Sequence, residues 1–508
     1  MRTIERPKLA DRMNDNPTIK YACERDKPNM SFMNNKVLLG VAPTRRDDPS
    51  FSLEKALKYK KELFALLKKW NIEFVDIEDC CSDGFLVSNQ DVEIARKKFT
   101  EKEINALFIP HMNFGCEGAS AQLARVMGLP VLLWGVRDKD NFADSHAQCG
   151  LFATGKAMRH SRVPFTYIPT CFMDSPLLKR GIDTFIAAAN VVKEFRRCRV
   201  LQIGPRPESF WSVMVNEAEL LEKFDIHVYP ISINEISDRT LKQIADHDPE
   251  VEDAVRELKA QTNITVNEDV VWKSASLKIA IKRYAEETCS NTVAIQCWYT
   301  LQQTLGIWPC AAGSMLASEG LPVVCETDIH GAISNLIADA ASMGKNKSFI
   351  VDWAIRHPEE ANCEEWLHCS IWPVSVFKEK PSLVTRPGEK YKDMGGGISA
   401  EVKHGEVSFL RFDGDNGQYS ILLGNAVGKS GPKWQGGYLW VEVPDLLKLE
   451  DKIVRGPYVH HCTGIHGNIL PVIEQALPYL AGVNGDYAFD EQETVAKRWL
   501  LTEEEIVY

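Results

Sequence analysis

The chain has 508 residues, 44% of them hydrophobic and 25% charged, with 59 basic against 70 acidic side chains and a net charge of −11. That composition excludes a wholly disordered chain and leaves room for roughly two to four domains at about 100–200 residues each. The acidic balance argues against a nucleic-acid binder, which needs a basic face for phosphates. The longest apolar runs, such as 129–136 (LPVLLWGV), are too short to span a bilayer, so no membrane partner is expected. The N-terminus is charged and lacks the apolar segment of a signal peptide, and the 14 cysteines contain no CxxC pair. A reduced, cytoplasmic setting is therefore expected, with no zinc knuckle or disulfide scaffold.

The first ~30 residues are polar and read as an arm. Residues 36–41, 72–77, 106–111 and 131–136 then read as strands, with helices over 52–70, 92–103 and 117–127. Strands alternating with helices of this size imply βαβ units around a parallel sheet. The pattern restarts after 165–170. Strands are expected over 199–204, 226–231, 292–296 and 322–326, and helices over 208–224, 275–288 and 332–343. The composition changes near residue 380, where short strands follow one another over 401–412, 418–423, 437–443, 452–454 and 459–463. Few helices interrupt them, which suggests an antiparallel sandwich or barrel. The glycine-rich stretch 393–401 (DMGGGISAE) reads as a flexible loop. The expected fold is α/β: two Rossmann-like α/β domains, 1–170 and 171–343, followed by a β-rich, barrel-like domain over 344–508.

Glu326 ends an apolar run in PVVCETDIHG, where a strand leaves its sheet and α/β proteins place their sites. Asp352 repeats the arrangement in SFIVDWAIRHP. One helix fits between the two acids, so two neighbouring strands could bring both carboxylates to the same sheet edge. Two unrelated acids capping helix starts would look the same. His460 and His461 are adjacent in a strand-like run, so alternation points them to opposite faces and one can be a ligand. His368 lies among apolar neighbours in WLHCSIWP. Two carboxylates with one or two imidazoles make a plausible Mn²⁺ site, with other divalent ions possible. Arg45 and Arg46 follow the first strand directly, as a surface pair or as a contact for an anion or sugar hydroxyl. Trp434 and Trp440 could be core or could stack on a sugar ring. IGPRPESFW lacks the full GxGxxG pattern, so no dinucleotide cofactor is expected.

At these residues the chain resembles the L-fucose isomerase and L-arabinose isomerase group. LPVVCETDIHGAISNL and FIVDWA are similar to the segments that carry the two metal carboxylates, and the aspartate is the fucose isomerase choice. VHHCTG resembles the paired histidines of which the second is the ligand. The resemblance thus implies Glu326, Asp352 and His461 as metal ligands. LHCS implies His368 and Ser370 at the sugar or the metal, AIQCW implies Gln296 at the sugar, and VAPTRR implies Arg45 or Arg46. The family's tryptophan is replaced by Met112 or Phe114, and its tyrosine by Phe409 or Leu410, so the sugar pocket differs.

The resemblance implies aldose–ketose isomerisation through an ene-diol, with Glu326 and Asp352 on either side of the C1–C2 bond. It also implies a homo-oligomer, a trimer or hexamer, in which an adjacent subunit completes the site. The substrate is then a deoxy sugar, a pentose or a sugar with an anionic group at C6. Arg45, Arg46 and Arg206 leave room for a sulfonated deoxyglucose. A non-catalytic sugar-binding protein on the same scaffold, or a metal-dependent aldolase or lyase, are the competing readings.

Overall fold

A computed structural model describes residues 32–138, 146–385 and 394–498. The expected N-terminal arm lies outside these residues.

Five short strands form the first sheet: β1 (Leu39–Val41), β2 (Phe74–Val75), β3 (Ala106–His111), β4 (Val131–Gly135) and β5 (Thr166–Tyr167). All pair in parallel, in the order β2-β1-β3-β4-β5. The connecting helices start where the sequence supplies caps. Ser52 accepts from the Lys55 N–H to begin Leu53–Lys69, and Ser88 and Asp91 form a capping box for Asn89–Glu101.

A second parallel sheet contains β6 (Arg199–Ile203), β7 (His227–Ile231), β9 (Thr292–Ile295) and β10 (Val323–Cys325), in the order β10-β9-β6-β7. The two-residue strand β8 (Asn263–Ile264) lies between β7 and β9 in the chain but leaves this sheet. The helix Ile329–Ala341, which follows β10, is buried at every residue. It touches β9 on one side and barrel strands on the other, which is why its sequence is mostly apolar or small, and its buried polar residues His330, Asn335 and Asp339 all have hydrogen-bond partners.

The last part is a closed antiparallel barrel. Its six strands are β11 (Phe349–Arg356), β12 (Cys363–His368), β15 (Gly405–Asp415), β16 (Gln418–Lys429), β17 (Gly437–Glu442) and β18 (His461–His466). The ring runs β16-β15-β18-β11-β12-β17 and closes by β16–β17 pairing. Three extra strands extend it: β13 (Ser382–Thr385), β14 (Gly395–Glu401) and β19 (Asn484–Tyr487). β8 from the α/β segment pairs in parallel with β13. Phe409 on β15 and Trp366 on β12 are not on neighbouring strands, so their 6.3 Å ring contact crosses the lumen. Trp353 packs edge-on against both. Alternation along β11 then turns Asp352 outward, towards the buried helix.

Four sequence expectations are corrected. Residues 452–454 are not a strand but part of the helix Leu446–Arg455, which Asp445 caps and which buries Leu446 and Leu449. The stretch read as a flexible loop forms β14, because Gly396 (φ +115°) lets the strand pass the Trp308 carbonyl, which a Cβ would approach to 2.3 Å. The helix expected over 208–224 occupies only Glu217–Phe224, which Asn216 starts by accepting from the Glu219 N–H, and a single 3₁₀ turn at Trp211–Val213 precedes it. β10 and β11 are separated by a helix as expected, but they belong to different sheets. Among the described residues, no helix is long and apolar enough to cross a membrane.

Candidate active site

The second sheet and the barrel each contribute side chains to one cluster. Gln296 and Glu326 directly follow the adjacent strands β9 and β10, at their carboxyl ends. Glu326 (φ +64°) and Thr327 (φ +54°) are consecutive left-handed residues, a conformation that costs of order 1–3 kcal/mol for each non-glycine. Three hydrogen bonds hold this turn: Thr327 N–H to the Ile295 carbonyl (3.1 Å), Thr327 Oγ1 to the Pro205 carbonyl (3.2 Å) and Asp328 N–H to the Cys325 carbonyl (3.2 Å). From the barrel, Asp352 on β11 stands opposite His461 on β18, and His368 ends β12.

His461 Nε2 lies 3.0 Å from Glu326 Oε2 and 3.5 Å from Asp352 Oδ1, without an aligned hydrogen bond to either. His368 Nε2 lies 3.9 Å and His460 Nε2 4.0 Å from the same Asp352 oxygen. Glu326, His368 and His461 offer ligand atoms within 4.8 Å of one another, as do Asp352, His460 and His461. Ligands bonded to one divalent ion at about 2.2 Å stand at most ~4.4 Å apart, so the distances measured here fit a shared ion. His461 Nε2 and Asp352 Oδ1 are buried atoms lacking a hydrogen-bond partner, and a cation between them would satisfy both. His460 precedes the first paired residue of β18, so strict alternation does not turn it away. Its ring stands 4.3 Å from that of His461, a departure from the expectation of opposite faces.

Burial disfavours a charge on Glu326. The neighbouring His461 and His368, with the Trp298 indole N–H at 2.9 Å, nevertheless hold its carboxyl at about 2. Burial also opposes a charge on His461, yet the carboxylates of Asp328, Glu326 and Asp352 raise it to about 10. An ion bound here would therefore displace a proton from this ring.

Trp298 links the cluster to a cavity of about 960 Å³ that His368, Trp308, Ile398, Lys433 and Trp434 also line. Trp434 is half exposed there. Trp440, expected as a possible sugar contact, is instead core. It is buried with Cys363 and Tyr438, and its indole N–H is taken by the Pro432 carbonyl at 2.8 Å. Gln296 faces a separate crevice at the carboxyl ends of β6, β7 and β9, where its buried Oε1 has no partner and Gly204 leaves room for it. Ser370 is fully buried at φ +75° beside Gly437. Arg45 pairs with Asp47 (2.8 Å) and Asp83 (3.4 Å), and the Arg46 guanidinium lies over the Phe114 ring. Both arginines sit at the first sheet's carboxyl edge, and neither forms an ion pair with the Glu326 group among the described residues.

Sequence reasoning missed Trp298, Asp328 and Arg411. The first two flank the identified glutamine and glutamate in QCW and ETD, so proximity was a usable signal. Arg411 had none, because its role depends on a contact across 83 residues.

The N-terminal domain profile of the fucose/sulfoquinovose isomerase family matches residues 40–196. A sulfoquinovose isomerase of Priestia aryabhattai is 25% identical over 309 residues, covering 59% of this chain and 66% of that protein. Over this segment the chain is similar to the N-terminal domain of that family. Sulfoquinovose isomerases of Alkalicoccus urumqiensis (25% over 305 residues, 58% and 66% covered) and Clostridium sp. strain MSTE9 (22% over 379 residues, 72% and 82% covered) are also similar to this chain. The match takes in just under two thirds of the length of the first relative.

Proposed function

We propose that this protein is a divalent-metal-dependent aldose–ketose isomerase acting on an open-chain sugar, with Mn²⁺ as the ion. The supporting observation is that Glu326, Asp352 and His461, from two different sheets, meet at distances one ion can share, beside an aromatic cavity. Glu326, Asp352 and His461 would hold the ion, with His368 and His460 within reach. The ion would supply Lewis-acid stabilisation of negative charge on the sugar oxygens. Two carboxylates on either side of the sugar's C1–C2 bond suit proton transfer. One takes the proton from C2 and returns it to C1, while the other serves the hydroxyl proton moving from O2 to O1. No redox partner is consumed. Trp298 fixes Glu326 Oε1, leaving Oε2 towards His461.

The relatives named sulfoquinovose isomerase favour a sugar with a C6 sulfonate. Lys433 is the one cation besides the histidine among the described residues lining the cavity, and it has no ion-pair partner there. It would meet that anion, with Trp298, Trp308 and Trp434 against the sugar. The chain acts as a homo-oligomer in this reading, a trimer or hexamer, with Arg45 and Arg46 offered to a neighbouring copy.

The test is a panel of aldoses incubated with Mn²⁺, including a C6-sulfonated hexose and its 6-deoxy counterpart, with ketose scored by NMR. Ketose formation without chain cleavage supports the isomerase and excludes a lyase. Binding without turnover would favour the non-catalytic sugar binder. Turnover of neutral sugars alone would refute the sulfonate reading.

A further inference from the structure

Behind the candidate ligands lies a buried ionic chain that the proposed chemistry does not use directly. Asp328 is fully buried, two residues after Glu326. Its Oδ2 accepts from His461 Nδ1 at 2.9 Å, and its Oδ1 accepts from the Gly331 N–H at 2.9 Å, capping the buried helix. Arg411 on β15 donates to both oxygens, through Nη2 to Oδ1 at 3.1 Å and through Nη1 to Oδ2. Arg411 Nε also donates to Asp413 Oδ2 at 2.8 Å, and Asp413 Oδ1 bonds His330 Nδ1 at 2.9 Å. A helix cap alone needs one acceptor, which serine or asparagine supplies equally well. A guanidinium clamp and a bond to a neighbouring imidazole exceed that need.

Two consequences follow from the geometry. A carboxylate clamped by a guanidinium can only accept, so His461 keeps a proton on Nδ1, and Nε2, which faces Glu326 and Asp352, is the nitrogen that would give up its proton to an ion. The Asp328 N–H also closes the left-handed turn that carries Glu326. One residue thus fixes two candidate ligands that come from different sheets.

We propose that Asp328, clamped by Arg411, is the positioning residue that sets the His461 ring and the Glu326 turn for a divalent ion. This rests on the reading of the cluster as a metal centre. Outer partners of metal-bound histidines typically contribute 10–100-fold in affinity.

The experiment is Mn²⁺ titration of the full chain followed by electron paramagnetic resonance, comparing the parent with Asp328→Asn and Arg411→Lys. Asparagine keeps the shape and the cap but sets an amide nitrogen against a donor. Mn²⁺ affinity is expected to fall about 10–100-fold in Asp328→Asn, with a smaller fall in Arg411→Lys and cooperative melting retained without metal. Affinity within twofold of the parent in either folded variant overturns the proposal. Absence of Mn²⁺ binding by the parent overturns the metal-centre reading instead, and this inference with it. Nitrogen-15 histidine spectra of the unaltered protein decide the matter if neither variant folds. A proton on His461 Nδ1 with Zn²⁺ bound supports the assignment, and a proton on Nε2 overturns it.

Discussion

Replacing Glu326 by Gln keeps the side-chain shape and removes one negative charge from the cluster. Burial opposes that charge, but His461, His368 and Trp298 hold the carboxyl at about 2 against an ordinary 4.5. At roughly 1.4 kcal/mol per tenfold in proton affinity, the surroundings favour the ionised form by ~3 kcal/mol. A carboxyl lowered on folding stabilises the protein above its unfolded value, and the contribution fades as pH falls from about 4.5 towards 2. The metal-free Glu326→Gln variant is therefore expected to be less stable than the parent by up to ~3 kcal/mol at pH 7, with the gap closing in acid. Urea unfolding of chelated protein at several pH values measures this. Turnover should fall by about 10³-fold or more, because a proton-transfer group and a ligand are lost together. Turnover within tenfold of the parent, or a stability gap indifferent to pH, would refute the reasoning.

Exhaustive chelation should abolish turnover and Mn²⁺ should restore it best, checked by ketose formation after back-titration with a series of divalent ions. Lys433→Met should raise KM for a C6-sulfonated hexose about tenfold or more while leaving a neutral 6-deoxy sugar unchanged, since one charge-assisted contact contributes on the order of 1.5–3 kcal/mol. Burial lowers His111 to about 4 from an ordinary 6.5. A histidine lowered on folding stabilises above its unfolded value, so unfolding free energy should drop by up to ~3 kcal/mol between pH 7 and 4. His111→Gln should flatten that part of the profile. Gly396→Ala should destabilise by about 1–3 kcal/mol, through its positive φ and the Trp308 carbonyl, with the thermal midpoint as the readout.

The alternation of short apolar strands with capped helices was readable because each element carries its own periodicity and cap. The ends of β10 and β11 were readable for the same reason, and so Glu326 and Asp352 could be singled out. The domain boundary at 343/344 already put Glu326 in an α/β domain and Asp352 in the barrel-like one, but their meeting place was not legible, because no local pattern records a contact between two sheets. The glycines of β14 resemble a loop until the Trp308 carbonyl beside Gly396 is known. Trp434 and Trp440 look alike in sequence, and only the fold puts one at the cavity and the other under Pro432. Asp328 and Arg411 are joined across sheets, so their pairing is a property of tertiary contact alone.

The pairing of β8 with β13 sews the α/β segment to the barrel at a second seam, far along the chain from the helix that joins β10 to β11. Cutting the gene near codon 345 would strip β13 of one edge partner and leave Glu326 in one fragment and His461 in the other. Neither fragment could be exchanged for its counterpart from a cousin without both seams matching. Recombination within such a lineage should therefore favour whole-gene swaps and spare crossovers between these strands.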